Sequence, residues 1–395
     1  MDADTTALGP GASCGILPGA ERAARVAAER SAQAEGNRRL DPQTVAAIAD
    51  AGFMRHFVPA RMGGTAGRFL DYVRALSTVA EGDPSAAWCA GVFSSLGRMA
   101  SFLPAEAQRA VWADKPDTVI VGALMPRGTA ERTAGGWRLT GKWPFISGIH
   151  FADWALVCSA VENDSGSREV RYLAIPRSEF SIEDTWFNMG MRATGSDTLV
   201  LTDVIIPANY SFPREDLLAG RSPDSSAPCH QVPLKAVTGL SFAAPVLGAA
   251  KGALHAWSAA AAPKWRAADP QDLVYGASRA SAEFTLARTS GELDAAQLLL
   301  ERAAATADRG ILTALDVSCA QRDHVVAVDL AIEAANAVFR LAGTNAQDAS
   351  HRLQRFWRDA NSGAGHTVLQ FEPAARGYAE QVFAAMASAV MAKPA

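Results

Sequence analysis

Histidine and cysteine are scarce in this chain, with seven and five among 395 residues. The cysteines (Cys14, Cys89, Cys158, Cys229 and Cys319) are scattered, and no CxxC pair or HExxH run occurs. The sequence therefore offers neither a metal cluster nor a disulfide framework, and it fits a reducing compartment. Positive charge is not in excess either. Thirty-seven Lys and Arg against 41 Asp and Glu leave a formal net charge of −4, which excludes the clustered basic surface of a nucleic-acid binder. No apolar run approaches the roughly 20 residues of a membrane span. The N-terminus lacks a basic segment followed by an apolar core, so no secretion signal is read, no membrane partner is expected, and the expected localisation is cytoplasmic. A G-x-G-x-x-G following a strand is also missing, so no nicotinamide site is expected. Apolar residues, at 49%, are plentiful enough for two or three domains with a sizeable core.

The pattern changes twice along the chain. Residues 1–18, rich in Gly, Ala, Thr and Pro, read as a disordered leader. Residues 19–116 read as helical. Glu21–Glu35 is rich in Ala, Arg and Glu. Asp41-Pro42 is an N-cap with Pro at the first helical position. Phe69, Tyr72, Val73, Leu76 and Val79 form an amphipathic stripe, and Asp83-Pro84 opens a nearly all-apolar helix through Trp88, Val92 and Leu96, which is expected to be buried. From 117 to 208 the signals are those of short strands: Thr118–Ala123, Trp137–Lys142, Trp154–Val161, Glu169–Ile175, Phe180–Asp184 and Thr198–Ile205, separated by turn clusters such as Glu162–Ser167. Six strands without intervening helices predict a small antiparallel barrel or sandwich. Residues 209–233 read as a loop. Residues 234–395 then carry long segments at helical period, the mark of an up-and-down bundle. The expected class is α+β, in the order helical domain, β domain, helical bundle.

The chain is organised around Leu139–Leu156. Trp137, Leu139 and Gly141 alternate with Arg138, Thr140 and Lys142, the signature of a half-buried strand. The strand is expected to break at Pro144 and Ser147-Gly148 and to resume at Trp154. Either this is an ordinary β-bend over a buried Trp and Phe, or it exposes Ser147 between aromatics as the seat of a flat ligand.

Three motifs in order resemble those of the acyl-CoA dehydrogenase superfamily. Within it, they resemble the flavin-dependent monooxygenases, such as the oxygenase components of two-component p-hydroxyphenylacetate hydroxylase and of dibenzothiophene monooxygenase. The motifs are Gly141-Lys-Trp-Pro-Phe-Ile-Ser-Gly148 with Ala152-Asp-Trp154, then Gly190-Met-Arg-Ala-Thr-Gly-Ser-Asp-Thr198, then His351-Arg-Leu-Gln-Arg-Phe-Trp-Arg-Asp-Ala360 followed by His366. The resemblance spans about residues 20 to 390. It implies the acyl-CoA dehydrogenase-like fold and a homotetramer. It also implies an oxygenase that takes reduced FAD or FMN from a separate flavin reductase. With O2, through a flavin C4a-(hydro)peroxide, the enzyme would hydroxylate or N-oxidise a small aromatic or polycyclic substrate.

The same resemblance places Ser147 against the flavin ring, where a hydroxyl can both donate and accept. It also makes His366 a proton carrier beside the substrate. Trp143 and Phe145 either wall the flavin ring or belong to the core. Arg352, Arg355 and Arg358, at i, i+3 and i+6, suit a flavin phosphate or form a solvated face, and Arg192 faces flavin or substrate. Thr194 and Ser196 share the turn of Arg192 and could equally cap it. His150 stands where many relatives carry Asp followed by His, and it is a candidate for the substrate pocket together with Trp88. The stretches 207–232 and 262–275 are expected at its entrance.

One departure separates this chain from the dehydrogenases. Those enzymes need a glutamate base, yet the region after Asp359 reads ANSGAGHTVLQFEP, and Leu240–Leu254 contains no acidic residue. The rivals are an acyl-CoA dehydrogenase-type desaturase and a non-catalytic scaffold of the same fold.

Overall fold

The computed structural model describes residues 15–162, 168–267, 273–274 and 277–391. It begins with five helices: α1 (Ile16–Asn37), α2 (Pro42–Asp50), α3 (Phe69–Gly82), α4 (Pro84–Ala100) and α5 (Ala105–Val111). The expected leader lies largely outside the described residues, but its end is corrected, because α1 starts at Ile16 rather than Glu21. Pro18 falls in the first turn, where its missing N–H costs nothing. Gly19 is a contact residue, since a Cβ there would lie 2.6 Å from the Cα of Ala51.

The two Asp-Pro signals act as caps. Asp41 accepts from the Gln43 N–H and Asp83 from the Ala86 N–H, both at 2.8 Å, each with Pro at the next position. α4 is buried along nearly its whole length between the other elements.

Eight strands follow: β1 (Ile120–Gly122), β2 (Thr129–Thr133), β3 (Gly136–Ile146), β4 (Trp154–Glu162), β5 (Arg168–Pro176), β6 (Ser181–Glu183), β7 (Asp197–Ile206) and β8 (Ser211–Pro213). They form two four-stranded sheets, ordered β1-β4-β5-β8 and β2-β3-β7-β6. All pairings within these two sheets are antiparallel except β1 with β4, which is parallel and departs from the expectation. β2 has no apolar alternation to betray it. Only Ala130 is buried there, and backbone pairing with β3 makes it a strand.

β3 does not break at Pro144. The register between β3 and β7 shifts between Trp143 and Ile146, so a β-bulge carries Pro144 and Phe145, and the missing proline N–H is not required there. Ile146 thereby returns to the core and ends the strand, Phe145 turns outward at φ 66°, and Ser147 opens the turn that follows.

The stretch 209–233 is not a plain loop. It contains β8 and α6 (Arg214–Ala219), and it is pinned by the buried Arg98 guanidinium, whose Nε donates to the Cys229 carbonyl at 2.5 Å and whose Nη2 donates to that of Val232. The bundle comprises α7 (Leu234–Val237), α8 (Leu240–Ala267), a small ribbon of β9 (Leu273–Val274) and β10 (Ala277–Ser278), then α9 (Arg279–Ala307), α10 (Ala314–Ala342), α11 (Arg352–Ala364) and α12 (Phe371–Met391). Most of 268–276, within the expected entrance segment, lies outside the described residues, as does the turn 163–167, whereas 262–267 continues α8. Leu234–Pro263 is the one stretch, among the described residues, long and apolar enough to cross a membrane. It is mostly buried inside the protein, as a core helix should be.

Candidate active site

Three elements meet at Trp88: α4 supplies the indole, the end of β3 supplies Ser147, and the segment after α11 supplies His366. The Trp88 Nε1–H donates to Ser147 Oγ at 3.1 Å. The His366 ring lies edge-on to Trp88, with centroids 5.6 Å apart, and stacks on Phe242 of α8 at 4.0 Å. Trp88 and Phe242 are themselves in contact at 4.7 Å. Ser147 and His366, 219 positions apart in sequence by their numbering, thus share one aromatic wall. Sequence reasoning missed Phe242, whose apolar character is indistinguishable from that of its neighbours at the start of α8.

Ser147 heads a chain of hydroxyls. Its Oγ lies 2.8 Å from Ser196 Oγ, which lies 2.6 Å from Thr194 Oγ1, which donates to the Met191 carbonyl at 2.8 Å. A carbonyl only accepts, so the polarity of the chain is set from its far end. Thr194 spends its hydrogen on Met191, Ser196 spends its own on Thr194, and Ser147 spends its own on Ser196. Because Ser147 already accepts from Trp88, one lone pair remains open on its Oγ. Thr194 and Ser196 are therefore more than turn caps, since they orient the hydroxyl that faces the site.

The turn carrying them is held from behind. Met191 adopts a left-handed conformation (φ 51°), and its N–H donates to Asp359 of α11 at 2.6 Å. Burial, and then the nearby Asp83 carboxylate, push the Asp359 carboxyl up to about 7. Asp83 is likewise raised by burial and caps α4. These two buried acids bind backbone N–H groups. Neither takes the position of a base over the Ser147–Trp88–His366 wall.

His366 caps the following turn, its Nδ1 accepting from the Val368 N–H at 3.3 Å. That assigns the proton of the neutral ring to Nε2, which can offer a hydrogen bond to a ligand. Burial lowers the ring to about 4, so it is neutral at ordinary pH and presents N–H rather than a free lone pair.

Three groups of expected site residues have partners within the chain. Trp143 is fully buried between the two sheets, where its Nε1–H donates to the Cys158 carbonyl at 2.9 Å, so it belongs to the core. His150 does not join the wall. Its Nε2 lies 2.7 Å from Asp197 Oδ2, and Asp197 also accepts from the Thr185 and Trp186 N–H groups. Burial would raise the Asp197 carboxyl, but these donors outweigh it and hold the carboxyl below its usual range.

The arginines have internal partners in this chain, although the buried Arg355 Nε and Nη1 make no hydrogen bond. Glu35 of α1 collects Arg355 at 3.3 Å, Arg192 at 3.6 Å and Arg358, so that one carboxylate ties together the N-terminal helices, the turn after β6 and α11. Arg352 donates to the Gly82 carbonyl at 3.1 Å. The cleft between Arg352, Arg355, Asp83 and Ser31 encloses about 10 Å³, which holds one water at most.

Phe145, in contrast, is 69% exposed beside Ser147 and meets Trp186 edge-on at 6.2 Å. Phe187 and Met189 are also exposed, on the segment following Trp186. An exposed apolar surface next to a hydroxyl with a free lone pair suits a flat ring bearing an N–H on its edge.

The chain matches the acyl-CoA dehydrogenase N-terminal domain over residues 20–115 and the acyl-CoA dehydrogenase C-terminal domain over residues 240–371. It is 30% identical over 359 residues, covering 86% of this chain and 87% of the relative, to the oxygenase component of the FADH2-dependent resorcinol hydroxylase of Rhizobium sp. (strain MTP-10005). The chain belongs to the flavin-dependent oxygenases of the acyl-CoA dehydrogenase superfamily. Among solved structures, the 3-HSA hydroxylase from Rhodococcus sp. RHA1 superposes on this oxygenase with a TM-score of 0.89 at 26% identity, covering 94% of this chain and 97% of the other. XiaF from Streptomyces sp., solved in complex with FADH2 and glycerol, superposes with a TM-score of 0.85 at 27% identity, covering 93% and 95%. As an oxygenase component, the protein works with reduced flavin and O2 and depends on a separate flavin reductase.

Proposed function

We propose that this oxygenase hydroxylates a phenolic or other electron-rich aromatic small molecule held against the wall of Trp88, Phe242 and His366, using reduced FAD or FMN lying on Phe145 with its ring N–H at Ser147. The observation that carries this reading is the polarity of the hydroxyl chain. It leaves Ser147 with an accepting lone pair beside an exposed aromatic surface, the complement of a reduced flavin, whose ring nitrogen bears hydrogen. When bound, the flavin supplies electrons to O2 and delivers an oxygen atom to the substrate.

The chain's own residues do the rest. Ser147 keeps the ring N–H paired, and Trp88 with the chain through Ser196 and Thr194 holds Ser147 in place. The aromatic wall excludes water, which strengthens each polar contact inside it. His366 Nε2–H holds a substrate oxygen and stabilises it in the anionic form, which activates the ring carbon beside it. Resorcinol, named for one relative, is a substrate of this electron-rich kind.

Exposed Phe284 and Leu298 on α9, with Phe383 on α12, support assembly into the homotetramer expected from the sequence. The cytoplasm, where a flavin reductase could hand over its product, is part of the same reading.

The test is single-turnover mixing of the protein, preloaded anaerobically with FADH2, with O2 and a panel of phenols. Hydroxylated product in amounts approaching the flavin supports the reading. Bleaching of oxidised flavin by an acyl-CoA thioester, with no product from any phenol, would overturn it in favour of a dehydrogenase.

A further inference from the structure

Trp186, half-buried in the segment between β6 and β7, has all three of its polar groups engaged. Its backbone N–H donates to Asp197 Oδ1 at 2.9 Å, and its carbonyl accepts from Arg38 Nε at 2.7 Å. Its indole Nε1–H donates to the Met191 carbonyl at 2.9 Å. The indole ring also stands nearly perpendicular to Phe145, at 76° with centroids 6.2 Å apart.

Three of these contacts lead to Ser147 by separate routes. Phe145 precedes Ser147 by two positions, in the bulge of β3. The Met191 carbonyl is the far end of the hydroxyl chain. It accepts from Trp186 and from Thr194 Oγ1, and Thr194 continues through Ser196 to Ser147. Asp197 follows Ser196 and pairs in register with Ile146, and its Oδ2 holds His150 in the turn after Ser147 at 2.7 Å. Trp186 therefore touches both the ring proposed as the flavin's seat and the anchor of the chain that orients Ser147.

The anchor needs holding. Met191 sits at φ 51° and ψ 32°, a left-handed conformation that a residue with a side chain keeps only when its surroundings over-determine it. Asp359 holds its N–H, and two side-chain donors meet at its carbonyl. Without the indole N–H the carbonyl keeps Thr194 but loses the donor that fixes its direction. The turn through Gly195, also left-handed at φ 52°, then slackens, and with it the line of hydroxyls. A hydrogen bond weakens steeply once its angle opens. Contact with Phe145 is equally open to an oxidised and a reduced flavin ring, whereas the accepting lone pair of Ser147 serves only the ring that carries the N–H. A residue that acts through the chain must therefore change the affinity for reduced flavin alone.

We infer that Trp186 is a positioning residue. Acting through Met191, Thr194 and Ser196, it keeps the accepting lone pair of Ser147 in line with the N–H of a reduced flavin lying on Phe145. This rests on the function proposed above and adds to it the residue that keeps stacking and hydrogen bonding in register.

The test is calorimetric titration of the full chain with oxidised FAD in air and with FADH2 under anaerobic conditions, read as the ratio of the two Kd values. Trp186→Phe keeps a ring against Phe145 and removes the N–H. It should lower the preference for FADH2 about fivefold, the scale of one intramolecular hydrogen bond, with the affinity for oxidised FAD within about twofold of the wild type. In Ser147→Ala the accepting lone pair is gone, so adding Trp186→Phe should change the ratio by less than about twofold. Trp186→Met, likewise without the N–H, should lower the preference alike and carries the test where the Phe variant does not fold. An unchanged ratio, an equal loss of affinity for both flavin forms, or the full effect persisting in the Ser147→Ala background would overturn the assignment. The expected ratios in a protein that hydroxylates no phenol would keep Trp186 in this role and remove the oxygenation. Hydroxylation of phenols with a ratio indifferent to Trp186 would do the reverse.

Discussion

Replacing His366 with Phe should make this protein less stable than the wild type at pH 7 and more stable at pH 5. Phe preserves the stack on Phe242 and the edge contact with Trp88 but loses the ring nitrogen that accepts from Val368. A lost side-chain cap costs about 1 kcal/mol. The imidazole itself carries a pH-dependent cost. Burial lowers it from 6.5 to about 4 in the folded chain, whereas the unfolded chain titrates near the ordinary value. Below pH 6.5 the unfolded state takes up a proton that the folded state refuses, so wild-type stability falls as pH drops through the window from 6.5 to 4 and is fully present above it. Between pH 7 and 5 this amounts to about 2 kcal/mol for one histidine with such a shift. His230 and His324, also lowered to about 4 by burial, titrate in both proteins and cancel in the difference. The Phe variant should therefore start about 1 kcal/mol below the wild type and end about 1 kcal/mol above it. Urea denaturation of both proteins at the two pH values measures the difference. The wild-type hydroxylation rate should keep its acid limb near 4 rather than near 6.5. A stability difference that does not change with pH, or a rate that halves near pH 6.5, would refute a buried neutral imidazole at this position.

Ser147→Ala should leave flavin binding measurable but raise the share of reducing equivalents lost as hydrogen peroxide at least severalfold; peroxide and product assays on the same turnover give the ratio, and an unchanged ratio removes Ser147 from the chemistry. Glu35→Gln should destabilise the protein by about 3 kcal/mol or more, because it leaves the half-buried Arg355 and Arg358 without their carboxylate; a denaturation midpoint within error of the wild type would mean that the arginines are otherwise satisfied. Asp359→Asn keeps an oxygen for the Met191 N–H while removing a carboxyl raised to about 7. A raised carboxyl contributes stability that is fully present below about 3.8 and is lost as pH rises through 7, so the Asn variant should gain on the wild type between pH 5 and 8. A gain in the opposite direction would show that Asp359 is held as the anion by Arg358.

The order of the parts was legible in the sequence because its signals are local. Asp41-Pro42 and Asp83-Pro84 announce helix starts within three residues, and the Phe69–Val79 stripe and the Trp137–Trp143 alternation repeat over distances that a short window spans. The absence of an acid between Leu240 and Leu254 likewise separated this oxygenase from the dehydrogenases without coordinates. The tertiary structure decided what no short window contains. The bulge at Pro144-Phe145 arises from the register against β7, and it determines that Trp143 enters the core while Phe145 faces out. The arginines of α11 look free along their own helix, and only the arrival of α1 gives them Glu35. Ser147 and His366 stand out singly in the sequence, but the direction of each one's hydrogen depends on Thr194, Ser196, Trp88 and Val368. Hydrogen bonds between distant segments leave no periodic trace, so the chemistry of this site was settled by folding rather than by neighbours in the chain.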